Sequence, residues 1–218
     1  MIPLVHDFAG ETVLVVGGGS VGARKARRFA READVVVVSP TFADADFGGA
    51  DRVRAAPSPD EARDWVERTD PALVVAATDD DEVNDAFAAA AREAGALANR
   101  ADRAGRRDAG SVVVPATVRD DPVTVAVTTG GSSPALAKHL RERVEAELEG
   151  AGAMAELTAD LRADLRAADV PPDVRRDAVR AVVRSGPVWK ALRTGGTNPR
   201  KSADDVVEDV VGESEWST

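Results

Sequence analysis

Three glycines near the start of the chain have the spacing of a loop that binds a diphosphate. Gly17, Gly19 and Gly22 fit the pattern G-x-G-x-x-G, directly after an apolar run at residues 12–16 and before a predicted helix at 21–32. In such loops the first glycine makes the turn, the second lets a pyrophosphate approach the backbone, and the third lets helix and strand pack closely. The helix N–H groups and dipole then favour phosphate. The pattern predicts a dinucleotide site; the alternative is a strand–helix turn without a ligand.

The end of the second predicted strand, at residues 35–38, lacks the acidic residue that usually holds the adenosine ribose. The chain has Ser39, Pro40 and Thr41 there, and Asp44 comes later. The ribose is therefore expected to bind Ser39, backbone groups or Asp44. Because no arginine directly follows this strand to hold a 2′-phosphate, the sequence favours NAD over NADP.

Three polar residues, Thr78, Asp79 and Asp80, follow the fourth predicted strand, at residues 72–77. Ligands of open α/β sheets bind at the carboxyl ends of the strands, so Thr78 is a candidate for cofactor contact. A competing interpretation is a helix N-cap formed by Asp79 or Asp80. Both roles stay open from the sequence.

An open parallel sheet is the structure that would bring these residues together. Apolar runs alternate with helical patterns through the first hundred residues. Strands are predicted at 12–16, 35–38, 52–55, 72–77 and 96–98, and helices at 21–32, from 59, and at 80–93. Strands separated by helices on this scale form right-handed βαβ units, so the fold class is α/β with an N-terminal Rossmann-type sheet.

The pattern changes after Ala109. Residues 111–118 and 122–129 are two β-rich runs that predict an antiparallel hairpin. A helix over 134–148 follows, with Ser132 or Ser133 as its N-cap. Its narrow apolar stripe, suited to packing on another helix, consists of Leu136, Leu140, Val144 and Leu148. Helical spacing also predicts helices from 154 and over 174–183, and the Gly-, Asp- and Glu-rich composition from Thr194 predicts a disordered acidic tail.

Composition restricts the possible partners. The formal net charge of −10 disfavours nucleic acid and anionic membranes. No apolar run approaches the roughly 18 residues that span a bilayer, and the N-terminus lacks the features of a secretory signal. The chain has no cysteine, and the two histidines, His6 and His139, show no ligand spacing. We therefore expect a cytoplasmic protein with no permanently bound metal.

Longer stretches resemble one family. The sequence LVHDFAGETVLVVGGGSVGARKARRFAREADVVVVSPTF at 4–42, VVAATDDDEVN at 74–84, ANRAD at 98–102, VVVPATV at 112–118 and DPVTVAVTTGGSSPALAKHLRERVE at 121–145 resemble precorrin-2 dehydrogenase, also called the siroheme synthase N-terminal module. The combination of GGGSVGARK with TTGGSSPALAKHLR is more specific than either motif alone.

The resemblance implies an activity and an assembly. Family members use NAD to oxidise the tetrapyrrole precorrin-2 to sirohydrochlorin, on the way to siroheme. Some also insert ferrous iron into sirohydrochlorin, a lyase activity that stays open for this chain. They are homodimers, and the implied organisation is an NAD-binding Rossmann domain over 1–110, a dimerisation segment over 111–149, a helical domain over 150–193, and the tail over 194–218.

The resemblance also assigns site residues. Family cofactor contacts match Ser20, Val21, Pro40 and Thr41, beside the three glycines. The family's catalytic aspartate follows a strand that ends in Asn, and that pattern makes Asp102 the candidate proton acceptor.

The segment after Asn99 departs from the family pattern. It is longer than usual and lacks the family's aromatic residue, so Asp108 is a rival to Asp102. Four arginines are expected to bind the substrate carboxylates, unless they only balance the two aspartates: Arg100, Arg103, Arg106 and Arg107.

Two other functions compete with the dehydrogenase. An NAD-binding regulatory sensor would bind NAD without turnover, but it would leave TTGGSSPALAKHLR and the arginine-rich segment unexplained. A chelatase or substrate-carrying scaffold would have lost the redox step. Fold alone does not separate these functions.

Overall fold

A computed structural model of the chain describes residues 2–101, 110–195 and 198–212. Its contacts divide the chain into two units, one over 1–114 with 130–132 and the other over 115–129 with 133–218. The elements of the first unit are β1 (Thr12–Val16), α1 (Ser20–Phe29), β2 (Asp34–Ser39), β3 (Asp51–Arg54), a 3₁₀ turn (Pro59–Glu61), α2 (Ala62–Thr69), β4 (Leu73–Ala76), α3 (Asp81–Glu93) and β5 (Leu97–Arg100).

The first unit is built on a five-stranded sheet with the order β3-β2-β1-β4-β5. All four strand pairs are parallel, and the order reverses between β1 and β4. This is the strand order of the Rossmann fold, so the predicted fold class is confirmed. The place where the order reverses is where such sheets bind ligands.

Burial on both faces explains why the central strands are almost continuously apolar. Along β1, Val13 and Val15 join the apolar cluster on the α1 side, whereas Leu14 and Val16 join the cluster that contains α3. Successive side chains of a strand point to opposite faces, so a strand covered on both sides needs apolar residues at every position.

The second unit contains a hairpin and five helices among the residues described. Its elements are β6 (Ala116–Asp120), β7 (Val123–Val127), α4 (Pro134–Glu147), α5 (Ala151–Ala167), α6 (Pro172–Arg184), α7 (Gly186–Thr194) and α8 (Pro199–Val211). The hairpin is antiparallel, and Ser133 caps α4 by accepting a bond from the Leu136 N–H, as the sequence predicted. The first hairpin strand starts later than expected, since Ser111 makes only an isolated bridge to Ala98.

The expectation of a disordered tail from Thr194 is wrong over 199–211. These residues form α8, in which Ala203 and Val207 are fully buried in the helical core. Arg200 joins α8 to α5 through an ion pair with Asp164 at 2.8 Å. A short apolar stripe with i,i+4 spacing is enough for a docked helix, although the surrounding charge makes the segment resemble disorder.

None of the helices in the described ranges has both the length and the apolar character needed to cross a membrane.

Candidate functional site

The glycine loop joins β1 to α1 at the carboxyl edge of the sheet, and its first glycine is required by the protein itself. Gly17 has a φ of +118°, a conformation that side chains disfavour. A Cβ there would lie 2.4 Å from the carbonyl oxygen of Ala77, the residue after β4. Gly17 therefore lets the loop pass close to the end of the neighbouring strand.

Two more glycines are fixed by close packing. A Cβ at Gly22 would lie 1.9 Å from the Gly17 oxygen, so the first turn of α1 can approach the loop only without a side chain. A Cβ at Gly18 would lie 2.3 Å from the Thr41 oxygen. The Ala43 N–H also donates to the Gly18 oxygen at 2.8 Å. The chain after β2 is thus held against the glycine loop.

Gly19 is different, because no protein atom requires it to be glycine. Its φ of −73° suits any residue, and a Cβ there would meet no heavy atom within 4 Å. It is the N-cap residue of α1, it is exposed, and the first turn of α1 contains no acidic residue. The N–H groups and the dipole of this helix end are open to an anion. The site therefore fits the diphosphate of a dinucleotide.

The end of β2 lies beside this loop. Ser39 is buried, Pro40 and Thr41 are exposed, and the Pro40 oxygen accepts a bond from Arg54 Nη1 at 3.1 Å. A cavity of about 460 Å³ opens next to it, lined by Phe42, Ala43, Asp44, Arg52 and Arg54. The structure thus brings Asp44 and two arginines to the place where the sequence left the ribose partner open.

The end of β4 forms a closed hydrogen-bond network. Asn84, fully buried on α3, accepts from the Thr78 N–H at 3.0 Å and the Thr78 hydroxyl at 2.8 Å, and its amide donates to the Thr78 oxygen at 2.9 Å. Asp80 is the N-cap of α3 and accepts from the Glu82 and Val83 N–H groups. The cap interpretation is confirmed for Asp80, and the Thr78 hydroxyl already has partners within the protein.

The last strand, β5, ends in two buried polar residues. The Arg100 side chain is only 5% exposed and is ion-paired with Asp81, at 3.0 Å, and with Asp85. The Asn99 amide donates to the Val112 oxygen at 2.8 Å. Its Oδ1 is buried and has no hydrogen-bond donor among the described residues. Arg100 therefore fastens β5 to α3, while Asn99 has an acceptor that no residue of the described ranges uses.

The residues predicted to act on the substrate lie in the segment that follows. Asp102, Asp108, Arg103, Arg106 and Arg107 fall outside the described residues, so their roles stay predictions. The described chain continues to Ala101, whose N–H donates to the Ala76 oxygen at 2.9 Å. No group of three acidic or histidine side chains suitable for a metal ion occurs within the described ranges.

Burial lowers the pKa of one lysine, Lys25, on the helix α1 that follows the glycine loop. The pKa of Lys25 falls from its ordinary 10.5 to about 8, mainly because the ammonium is buried and also because Arg28 and Arg24 lie near it. Lys25 belongs to α1, which packs on β1 and β2. Its neutral form is thus accessible at a mildly alkaline pH.

Several residues of this edge could not be identified from local sequence. Gly18 is visible only as the middle of a GGG run, and Asn84 only as a polar residue on a predicted helix. Arg52 and Arg54 belong to the weakest predicted strand. Only the register that pairs Ser39 with Arg54 brings these arginines to the end of β2.

Two family models cover most of the described site and the hairpin. Residues 4–116, just over half of the chain, match the family described as putative NAD(P)-binding. The chain belongs to this NAD(P)-binding family. Residues 120–147 of this family member match the sirohaem biosynthesis protein central segment. The resemblance identified from the sequence is therefore confirmed.

Two curated relatives of this NAD(P)-binding protein have names of the family that the sequence resembles. A precorrin-2 dehydrogenase from Methanosarcina barkeri is 34% identical over 152 residues, which are 66% of this chain and 65% of that protein. A siroheme synthase from Nitrosomonas eutropha is 38% identical over 157 residues, 68% of this chain and 31% of that protein. The match thus spans about two-thirds of the first relative and about one-third of the second.

A solved structure supports the fold of the whole chain. The structure named "SirC, precorrin-2 dehydrogenase" aligns with a TM-score of 0.64 and 20% identity, covering 96% of this chain and 100% of that one. At this identity the likeness shows the fold, and it extends over both units of the protein.

Proposed function

We propose that the protein oxidises precorrin-2 to sirohydrochlorin with NAD. One observation carries the proposal. A single chain contains a glycine loop whose Gly19 leaves room for a diphosphate, followed by the sirohaem central segment at 120–147. Two relatives, each matching about two-thirds of this chain, are named precorrin-2 dehydrogenase and siroheme synthase.

The residues of the loop would hold the cofactor. In this proposal the N–H groups of Ser20 and Val21 at the start of α1 bind the diphosphate, and Gly19 gives the close approach. Backbone groups of Pro40 and Thr41 lie on the adenosine side. The Asn99 Oδ1 atom, which accepts no bond from a described residue, lies on the other side of the point where the strand order reverses, the side of the nicotinamide half. Bound NAD supplies the acceptor for a hydride from a ring carbon of the substrate.

A carboxylate after β5 would take the proton. Loss of a hydride and a proton removes two hydrogens from the macrocycle, and Asp102 is the proposed proton acceptor, with Asp108 as the rival. Arg103, Arg106 and Arg107 are proposed to bind the substrate carboxylates. Because Arg100 is ion-paired with Asp81 and Asp85, we give it a positioning role and expect the other three to contact substrate.

The decisive experiment mixes purified protein with precorrin-2 and NAD and follows the absorbance. Sirohydrochlorin and NADH should form in equal amounts. NAD binding without any spectral change would instead identify a sensor. Asp102→Asn and Asp108→Asn, each in the full chain, separate the two candidates: only the variant of the true proton acceptor should lose turnover while it still binds NAD.

We also propose a homodimer formed through α4 and the β6–β7 hairpin. No residue of α4 is buried in the single chain, and Leu136 and Leu140 are 48% and 37% exposed. When a second copy covers such an apolar stripe, the removal of its surface from water stabilises the dimer. Leu136→Glu with Leu140→Glu should give a monomer in light scattering, whereas Lys138→Glu, on the same helix and 74% exposed in its side chain, should leave the dimer intact.

Two further expectations belong to this proposal. Iron insertion is tested separately by adding ferrous or cobaltous ion to sirohydrochlorin with the protein and following the absorbance of the metal complex. A cytoplasmic location is expected, and fractionation of the source cells would test it.

A further inference from the structure

The structure separates the residues that the sequence left open as partners of the adenosine ribose. Ser39 is buried at the end of β2. Pro40 has no backbone N–H, and its oxygen already accepts a bond from Arg54 Nη1 at 3.1 Å. Asp44, by contrast, is exposed and lines the cavity of about 460 Å³ beside the end of β2. Among these candidates, Asp44 is therefore the one whose side chain a ribose can reach.

Two backbone hydrogen bonds hold Asp44 beside the glycine loop. The Ala43 N–H donates to the Gly18 oxygen at 2.8 Å, and the Ala45 N–H donates to the Ala43 oxygen at 2.9 Å. The second bond makes Asp44 the central residue of a three-residue turn. In a dinucleotide the adenosine ribose is joined directly to the diphosphate. Because the diphosphate fits the glycine loop, an acid anchored to that loop lies where the ribose is expected.

Two arginines and two aromatic rings form another part of the same edge. Arg52 and Arg54 are two residues apart on β3, so they lie on one face of the strand. Their guanidinium carbons lie 5.6 Å and 5.8 Å from the centre of the Phe42 ring, which packs edge-on against Phe47 at 5.8 Å. Planar guanidinium groups stack on aromatic faces. Adenine is flat and aromatic, so these arginines suit the base of the cofactor.

The negative charge of Asp44 determines which dinucleotide the cavity favours. A carboxylate at this position accepts bonds from the ribose hydroxyls of NAD, whereas it repels the 2′-phosphate of NADP. We propose that Asp44 binds the adenosine ribose hydroxyls and that Arg52 and Arg54 stack on the adenine, so that the protein prefers NAD to NADP. The proposal rests on the dinucleotide site of the proposed function, but not on turnover of a tetrapyrrole.

Calorimetric titration of the full chain with ligands that differ only at the adenosine 2′ position tests the role of Asp44. The ligands are ADP-ribose, its adenosine 2′-deoxy form and its adenosine 2′-phosphate, together with NAD and NADP. The unmodified protein should bind ADP-ribose at least tenfold more tightly than either altered form, and NAD at least tenfold more tightly than NADP. Asp44→Ala should reduce the preference over the 2′-deoxy form to less than threefold, because the acceptor is lost. Asp44→Asn should reduce the preference over the 2′-phosphate, because the charge is lost.

Asp46→Asn is the matched control for Asp44→Asn. Asp46 belongs to the same loop, and its Oδ1 accepts a bond from the Gly48 N–H at 2.7 Å. An asparagine can accept the same bond, so this variant removes a nearby charge without disturbing the loop. It should leave the ratios among the ligands unchanged.

Arg54→Met tests the contact with the base. All the ligands contain adenine, so this variant should weaken each of them by a similar factor, about threefold to fivefold, and leave their ratios unchanged. Arg68 lies 4.0 Å from the centre of the Trp65 ring on α2, and Arg68→Met, which removes a stacked arginine outside the cavity, should change no affinity. A loss confined to the 2′-phosphate forms in Arg54→Met would overturn the assignment of this arginine to the base.

Each remaining contrary outcome has a distinct meaning. Equal affinity of the unmodified protein for ADP-ribose and its 2′-deoxy form would overturn the role of Asp44 and leave the dehydrogenase proposal intact. An equal change of the ratios in Asp46→Asn and Asp44→Asn would also overturn it, since the effect would then belong to the charge of the whole loop. Failure of all five ligands to bind would overturn the dinucleotide site itself.

Discussion

On the β4–β5 side of the sheet the polar side chains are bonded mainly to one another, whereas on the β2–β3 side they face a cavity. Thr78 and Asn84 satisfy each other, and Arg100 is ion-paired with two aspartates of α3. By contrast, Arg52 and Arg54 lie over the Phe42 ring and line the cavity beside the end of β2. The first side therefore works mainly as a scaffold, and the second is open to a ligand.

Asn99 is the exception that sharpens this comparison. It lies on the scaffold side, but its Oδ1 has no donor among the described residues. A buried acceptor that no described residue satisfies would cost about 1 to 3 kcal/mol if it stayed without a donor. A donor on the nicotinamide half of the cofactor would satisfy it. The comparison thus separates residues that hold the edge together from residues that await a partner.

The largest expected effect comes from the glycine loop. Gly22→Ala forces a Cβ against the Gly17 oxygen, so we expect a loss of about 3 kcal/mol in the free energy of unfolding together with loss of NAD binding. The Cβ that Gly19→Ala adds would meet no protein atom within 4 Å. The free energy of unfolding of this variant should therefore stay within about 0.5 kcal/mol of that of the unmodified protein, while the affinity for NAD falls at least tenfold. Urea unfolding and NAD titration measure both quantities. A stable Gly19→Ala protein with full NAD affinity would contradict the diphosphate site.

A smaller effect is expected from Asn84→Ala on the scaffold side. The change removes three hydrogen bonds from Thr78 in a fully buried position, so the free energy of unfolding should fall by about 2 kcal/mol. Asp80→Ala removes only the exposed cap of α3, so it should lower the free energy of unfolding by about 1 kcal/mol. Thermal unfolding of both variants gives the comparison. Equal effects would mean that the Thr78 network adds nothing beyond the cap.

Arg100→Met tests whether the buried arginine belongs to the scaffold or to the substrate site. The two carboxylates that pair with it among the described residues are 78% and 54% exposed, so water can solvate them after the change, and the free energy of unfolding should fall by only about 1 to 2 kcal/mol. The KM for precorrin-2 should change less than threefold. A large rise in KM at unchanged stability would assign Arg100 to the substrate instead.

The smallest effect concerns Lys25 and depends on pH. Its pKa in the folded protein is about 8, below the ordinary 10.5, so between these values the unfolded chain binds more protons than the folded one. The contribution of Lys25 to the free energy of unfolding therefore rises as the pH increases from about 8 to 10.5. Lys25→Met should remove this rise and stabilise the protein at pH 7 by about 1 kcal/mol. Denaturant unfolding at pH 7 and at higher pH checks the sign. A decrease in stability at pH 7 would show that the ammonium makes favourable contacts.

Local sequence was sufficient wherever the signal lies within one element. The glycines of the loop, the valine runs of β1 and β2, the hairpin and the Ser133 cap are each defined by residues close together in the chain. Their physical causes are local too: backbone freedom at glycine, burial on both faces of a strand, and side-chain bonds to the first helical N–H groups.

Tertiary structure decided the rest, because the partners are distant in sequence. Only the strand register brings Arg54 to Ser39, and only the packing of α3 on β4 brings Asn84 to Thr78. The helix α8 formed where composition predicted disorder, since burial of Ala203 and Val207 outweighs the local charge. The sequence by itself therefore determined that a dinucleotide loop is present. Which side chains surround it depends on contacts between residues far apart in the chain, and these exist only after the strands and helices have packed.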